Sequence, residues 1–308
     1  MTSRLFLSAG LLVALAVLAA VPWFASAYVL AVGITILSFT VLTTAWAAFS
    51  GPSRYVSLAT SAFFGVGVYS VAVAIDYLPL PVVLAIAAAV GFAIALVVGL
   101  ATLRLSGVYF VIFTFGLAEL TKQVMIWYEI NQNQTLARIV FVDTSTEQIY
   151  WMLLALAVAT LVIAWGLRRS RYGFALQVIG EDETVARHSG INTTALKVLS
   201  FALTAALMSL AGAMMSLRFT YVDPNTAFNS FVSFQVLIMA LLGGVGALFG
   251  PLLGVVPLVL LSEYLSGSFP YHFNIVLGIC FVLIVFFLPT GVAGLLQGWA
   301  HRLTGRAS

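Results

Sequence analysis

The sequence predicts an all-α integral membrane protein of about ten transmembrane helices, forming a single domain over residues 1–308, and three observations carry that expectation. Hydrophobic residues make up 62% of the chain and charged residues 7%, where a soluble domain carries roughly 25% charged residues. Such a surface cannot be solvated by water, so its solvent must be lipid. Uncharged runs of about 20 residues, enough to cross a hydrocarbon core of about 30 Å, recur along the chain. The basic residues, finally, fall on alternate connections between those runs, as a polytopic topology requires.

Taken in order, the first run is Leu5–Trp23. Its 19 uncharged residues exceed the roughly 7–15 of a signal-peptide apolar region, so it is read as a retained helix despite the following Ala25-Ser26-Ala27. Val29–Ser50, Tyr55–Ile75 and Tyr77–Leu103 come next, then Leu105–Tyr128, which Glu119 and Lys122 interrupt. Ile149–Leu167 and Val198–Leu217 supply the sixth and seventh crossings. The run Asn225–Ser262 has 38 residues and contains Gly243-Gly244-Val245-Gly246 and Gly250-Pro251. A helix stops and turns at such a cluster, so two crossings are expected there. The last is expected at about Asn274–Pro289.

A cytoplasmic N-terminus places ten basic residues in the cytoplasm: Arg4, Arg54, Arg104, Arg168, Arg169, Arg171, Arg187, Lys197, Arg302 and Arg306. Three, Lys122, Arg138 and Arg218, then fall outside. This bias predicts both termini in the cytoplasm. Glu129–Glu147 becomes an outer loop and Asp223-Pro224-Asn225 an outer turn.

The longest cytoplasmic connection, residues 168–197, holds 8 of the 23 formal charges. Glu181, Asp182 and Glu183 are expected to open a short helix, where acids meet the positive end of its dipole. Gly190 suits its C-terminal cap, and Asn192 or Thr193 can cap the next span. From the residues alone, both an ordinary solvated loop and a foot inserted into a soluble partner fit.

Glu119 and Lys122, three apart on one helix, are neighbours on its surface. Ionisable groups at membrane depth face the bundle interior or water, so a structural ion pair and a pathway-lining role both stay open. Gly246, Gly250 and Gly254 stand four apart, a spacing that lets helices approach closely. With Gly243 and Gly244 they also fit a helix break that exposes backbone to a pathway.

Other chemistry lacks its residues. No Gly-x-x-x-x-Gly-Lys-Ser/Thr phosphate loop occurs. The three histidines, His188, His272 and His301, are not at ligand spacing, and the single cysteine, Cys280, lies in an apolar run. Nucleic acid has no basic face to meet. Neither an enzyme nor a cofactor or metal site is expected in this chain.

Several blocks carry a family resemblance. They are Arg104-Leu105-Ser106-Gly107-Val108-Tyr109-Phe110 with Thr114, Gly116, Glu119 and Lys122, then Gly173-Phe174-Ala175-Leu176 with Glu181-Asp182-Glu183, Ala186 and Gly190-Ile191-Asn192. Leu210-Ala211-Gly212-Ala213, Asp223-Pro224 and the glycine-rich Leu242–Gly254 complete the set. Over about residues 55–295 the chain resembles the permease subunits of branched-chain amino acid ABC importers, in the larger of the two permease types. Urea and amide importer permeases are close relatives of that family.

The resemblance implies the type II ABC permease fold of vitamin-B12 importers, with residues 168–197 as the coupling loop after the sixth span. It implies that Gly173, Ala175, Glu181, Asp182, Glu183, Ala186, Gly190 and Ile191 form the ATPase-coupling site. The implied partners are two ATP-binding cassette subunits, which bind ATP and Mg, a second homologous permease, and a periplasmic or extracellular substrate-binding protein. The implied location is the bacterial inner membrane, and the implied mechanism alternating access. The expected cargo is a branched-chain or related amino acid, then urea, a short amide, or an organic or aromatic acid. An ion-coupled secondary transporter is the rival of another class, with Glu119 as its coupling acid. The chain departs from the family pattern at Ser57–Thr60 and Asn131–Ala137, stretches expected to face substrate or the binding protein.

Overall fold

The computed structural model describes residues 15–269, 275–276, 278–279, 282–283 and 293. Its helices are α1 (Leu15–Phe24), α2 (Ala27–Ser53), α3 (Thr60–Ala74), α4 (Leu80–Thr102), α5 (Val108–Asn133) and α6 (Thr146–Arg169). They continue as α7 (Arg171–Glu181), α8 (Glu183–His188), α9 (Thr193–Ser216), α10 (Pro224–Ala227), α11 (Ser230–Gly243) and α12 (Gly250–Ser268). Two short strands, β1 (Arg138–Ile139) and β2 (Tyr221–Val222), pair antiparallel with Arg138 opposite Val222.

Among the described residues seven helices are long and apolar enough to cross a membrane: α2, α4, α5, α6, α9, the Pro224–Gly243 span formed by α10 and α11, and α12. The expected first crossing is described only from Leu15 onward, and the expected crossing at Asn274–Pro289 lies largely outside the described residues. So do His272, Cys280 and His301.

The third crossing differs from its expectation. Instead of a helix over Tyr55–Ile75, α3 begins at Thr60 and has 15 residues, about 22 Å of rise. The preceding stretch leaves α2 through Arg54 in the left-handed conformation, with φ at 58°. It then runs without helix through Ser57, Leu58 and Ala59, all at least 94% buried. Non-helical backbone survives inside a bundle only where other groups satisfy it. Here Trp46 Nε1 donates to the Ser57 carbonyl at 2.7 Å, and the Leu58 amide donates to Thr114 Oγ1 at 3.0 Å. Ser57–Thr60 is thus buried within this chain, while the other departing stretch, Asn131–Ala137, lies at the opposite end of the bundle with its described side chains exposed.

α9 is the axis of the fold and packs on α2, α3, α4 and α6. Small residues permit this. A Cβ at Gly212 would lie 2.0 Å from the Phe64 carbonyl oxygen, and one at Gly67 would lie 1.8 Å from that of Ser209. Ser209 also ties α9 to α4 by donating to the Ala87 carbonyl at 2.7 Å.

The glycine cluster after α11 makes a tight helical hairpin. Gly244 caps α11 with φ at 94°, a conformation that favours glycine. Cβ atoms at Gly243 and Gly254 would meet the carbonyl oxygens of Gly250 and Met239, each at 1.9 Å. Gly243, Gly250 and Gly254 thus sit in close backbone contact between the two helices. Gly246 is not on their face. It lies in the turn between the two helices, where an added Cβ would meet nothing within 4 Å.

That turn sits at the same end of the bundle as residues 168–197. Arg168, near the end of α6, donates through Nη1 to the Gly246 carbonyl and through Nη2 to that of Val245, both at 2.9 Å. This grip ties the glycine-rich turn to the end of α6.

Candidate functional site

Residues 168–197 fold into a compact foot of two short helices. α6 ends at Arg169, and Ser170 caps α7 by accepting from the Gly173 amide at 3.2 Å. Gly173 permits the sharp turn, since a Cβ there would lie 2.0 Å from the Leu167 carbonyl oxygen. Gly180 lets α7 rest on the end of α2, where a Cβ would lie 2.1 Å from the Pro52 carbonyl oxygen.

The acidic triplet divides into three roles, a correction to the expectation that it opens one helix. Glu181 is the last residue of α7 and is exposed, 3.8 Å from an equally exposed Arg54. Asp182 is the cap of α8, its Oδ1 accepting from the amides of Thr184 at 2.7 Å and Val185 at 3.2 Å. Those backbone bonds hold its carboxyl below the usual carboxylate range. Glu183 alone opens α8, and its side chain turns back toward the bundle.

The far end of α8 matches its expectation. Gly190 adopts φ of 80°. Its amide donates to Arg187 O at 3.0 Å, and the Ile191 amide donates to Ala186 O at 3.1 Å. That pair of bonds is a Schellman C-cap. Asn192 then caps α9 by accepting from the Ala195 amide at 3.0 Å. Ala186 is fully buried and Ala175 is half-buried. Of the eight residues of the expected coupling site, Gly173, Ala186 and Gly190 carry the turns and packing of the foot, Glu183 is engaged in its ion pair, and Glu181 and Asp182 are exposed.

Sequence reasoning missed what holds the foot in place. Lys197, counted simply as a cytoplasmic charge, is 2% exposed. Its Nζ donates to both Glu183 carboxylate oxygens at 2.9 and 3.0 Å, to Tyr55 Oη at 3.0 Å and to the Leu103 carbonyl at 2.8 Å. Glu183 also accepts from Tyr55 Oη at 2.7 Å, from Arg187 Nη2 at 2.7 Å and from Thr193 Oγ1 at 3.1 Å. Burial pushes the Glu183 carboxyl upward, but the hydrogen bonds from Lys197, Tyr55 and Arg187 outweigh it and hold the pKa down at about 2. A lysine in the first turns of an apolar helix, followed by a membrane-length run, was the available signal for a buried cation.

The outward side of the foot has a different character. Tyr172 and Phe174 on α7 are each 67% exposed, and Val185 on α8 is 54% exposed. Beside them a cleft of about 330 Å³ opens between the end of α2, α7 and the α11–α12 turn, lined by Arg54, Arg168, Gln177 and Glu181 among others.

The expected pair on α5 forms. Lys122 Nζ lies 2.5 Å from Glu119 Oε2, and Ser230 of α11 donates to Glu119 Oε1. Glu119 stands eleven residues beyond the first residue of α5, about 17 Å along its axis. At the opposite end of α5 the expected outer loop begins later than Glu129, because the helix runs on to Asn133. Glu129 is fully buried and paired to Arg138 at 2.6 Å.

Among the described residues, seven membrane-length helices and a folded polar foot define a helical-bundle protein of the integral-membrane class. The chain belongs to the family described as branched-chain amino acid transport system / permease component, whose model matches residues 29–285. It is 26% identical over 294 residues to the high-affinity branched-chain amino acid transport system permease protein LivM of Salmonella typhimurium, covering 83% of this chain and 68% of that protein. To LivM of Escherichia coli it is 27% identical over 279 residues, covering 79% of this chain and 64% of that protein. To the permease protein LivH of Escherichia coli it is 29% identical over 155 residues, covering 49% of this chain and 48% of that protein. The chain thus spans about two thirds of the length of its LivM relatives. No solved structure matches it.

Proposed function

We propose that this chain is the solute-translocating subunit of a binding-protein-dependent ABC importer, with residues 168–197 as the foot on which an ATP-binding cassette subunit docks. The observation that carries the reading is the outward side of the foot. Tyr172, Phe174 and Val185 remain exposed on short helices whose opposite faces are buried. Exposed apolar side chains rimmed by polar groups mark interaction surfaces. Glu181 and Asp182 supply such a rim.

The α5 face supports a second permease subunit. Tyr109, Ile112, Gly116, Leu120, Gln123 and Trp127 are exposed there, beside Glu119 and Lys122. Charged groups facing hydrocarbon are expensive, so this face looks onto protein or water. We assign it to the partner permease and the pathway between the two. The cargo is a small polar solute, a branched-chain or related amino acid first. The remaining parts of the reading are ten crossings in the type II arrangement, the bacterial inner membrane, and both termini in the cytoplasm, as the basic-residue bias requires.

The test is a pull-down with the ATPase subunit. Val185→Asp places a charge where the partner would bury an apolar side chain, and it abolishes co-purification while the melting midpoint of the chain stays put. Full retention of the ATPase by that variant overturns the docking assignment. A cysteine introduced at position 185 reacts with an impermeant thiol reagent from the cytoplasmic side, and labelling from outside inverts the topology. Solute movement by purified chain without any nucleotide-hydrolysing subunit removes the importer reading.

A further inference from the structure

We propose that Lys197 is a positioning residue for coupling: with Glu183 and Tyr55 it fastens the α8 foot to α9 and to the α2–α3 connection, so that they move as one body. The proposal rests on the docking reading above and extends it inward.

The placement of Lys197 is not explained by the helix that carries it. Its position near the start of α9 is the end where a cation opposes the helix dipole, and lysine is almost never fully buried unless paired. What compensates is ligation from outside α9. Glu183 comes from α8, Tyr55 from the non-helical stretch before α3, and the Leu103 carbonyl from the end of α4. The ammonium group also lies over the Tyr55 ring, 4.6 Å from its centroid, a favourable cation–π placement. One buried atom thus ties four segments that are remote in sequence.

The chain of contacts continues toward the open face of α5. The Tyr55 ring packs edge-on against Phe110 of α5, with centroids 5.4 Å apart and planes at 81°. Phe110 packs on Phe201 of α9 at 6.3 Å, and Phe201 on Phe49 and Phe63 at 5.2 and 5.4 Å. A displacement of α8 that keeps the Glu183–Lys197 bond intact must carry Tyr55 with it. Tyr55 in turn bears on the first turn of α5, the helix that presents Glu119 and Lys122.

The experiment uses the full complex in proteoliposomes, with the ATPase subunits, the partner permease and the binding protein present, below the melting midpoint of each variant. Lys197→Met retains the ATPase subunit and its basal hydrolysis, because no docking side chain has changed. Solute-stimulated hydrolysis and uptake fall about tenfold, within the usual range of coupling free energies. Lys197→Arg, which keeps the charge, recovers part of the stimulation. Tyr55→Phe removes one hydroxyl while preserving the ring, and serves if Lys197→Met does not fold. It lowers stimulated hydrolysis several-fold, with a melting midpoint lowered less than that of Lys197→Met. Wild-type stimulation in Tyr55→Phe and Lys197→Met overturns the fastener, as does loss of basal and stimulated hydrolysis in equal proportion. A wild-type chain that retains no ATPase subunit overturns the docking reading and the fastener together, so the two failures are told apart by the wild-type control.

Discussion

Two Lys–Glu pairs of this chain have the same chemistry and opposite settings. Glu119 and Lys122 are three residues apart on one helix, with side chains 35% and 18% exposed. Glu183 and Lys197 are fourteen residues apart on two helices, with side chains 23% and 2% exposed. The first pair is dictated by helix geometry and forms wherever α5 forms. The second forms only when α8, α9, α4 and the α2–α3 connection are all in place. A local pair on an open face is free to interact with something outside the chain, whereas a pair enclosed by four segments holds the chain itself together.

The largest expected effect breaks that second pair. Lys197→Met leaves the Glu183 carboxylate without its buried cation. Removing one partner of a fully buried pair costs roughly 3–5 kcal/mol. Because Glu183 keeps 23% of its side chain exposed, about 2–3 kcal/mol is expected here, read as a lowered melting midpoint of the purified chain. Lys122→Met, at the more open pair, costs less than about 1 kcal/mol. Equal losses from the two substitutions would erase the distinction between the pairs.

The glycine hairpin gives the next effect and the same contrast between closed and open sites. Gly254→Ala forces a methyl onto the Met239 carbonyl oxygen, 1.9 Å away, while Gly246→Ala meets nothing within 4 Å. Overpacking of this kind costs about 1–3 kcal/mol, so Gly254→Ala lowers the melting midpoint and Gly246→Ala leaves it in place. Both glycines belonged to one expected face, and the melts separate them.

Much of this was legible from residue type and spacing. The runs that became α2, α4, α5, α6 and α9 are apolar and long, so their existence did not depend on tertiary detail. Gly190, Asn192 and the Glu119–Lys122 pair were legible because capping and i,i+3 contacts are local. What was not legible is whatever depends on remote segments meeting. Tyr55 read as the first residue of a span, because nothing near it in sequence shows that Trp46 and Thr114 satisfy an unwound backbone there. Glu183 read as one of three equivalent acids, because its partner Lys197 lies beyond a turn and on another helix. Gly246 fitted both a packing face and a helix break, because four-residue spacing has meaning only if the helix is unbroken, and the turn runs from Gly244 to Phe249.

A smaller effect on stability, joined to a larger one on transport, sharpens the comparison from the side of α5. Glu119→Gln keeps the shape and the bond from Ser230 but removes the charge. In the proposed importer complex it leaves the melting midpoint within error and lowers uptake several-fold, as the proposed pathway role of that face predicts. A variant that transports at the wild-type rate would leave the pair on α5 with a purely structural role.

The smallest expected effect concerns pH, and it follows from how firmly Glu183 is held. Its pKa is lowered from 4.5 to about 2, so the carboxylate is preferred in the folded chain over the unfolded one. A depressed carboxyl contributes its stability above the unfolded value and loses it as pH falls through the folded value. The contribution is therefore complete above about pH 5 and fades only toward pH 2. Across pH 5–8 the difference in melting midpoint between wild type and Glu183→Gln stays constant, since the Glu183 carboxylate does not change charge there. A foot that used this pair as a proton-operated switch would instead show that difference collapsing within the range. A flat profile excludes titration of the Glu183 carboxylate as such a switch.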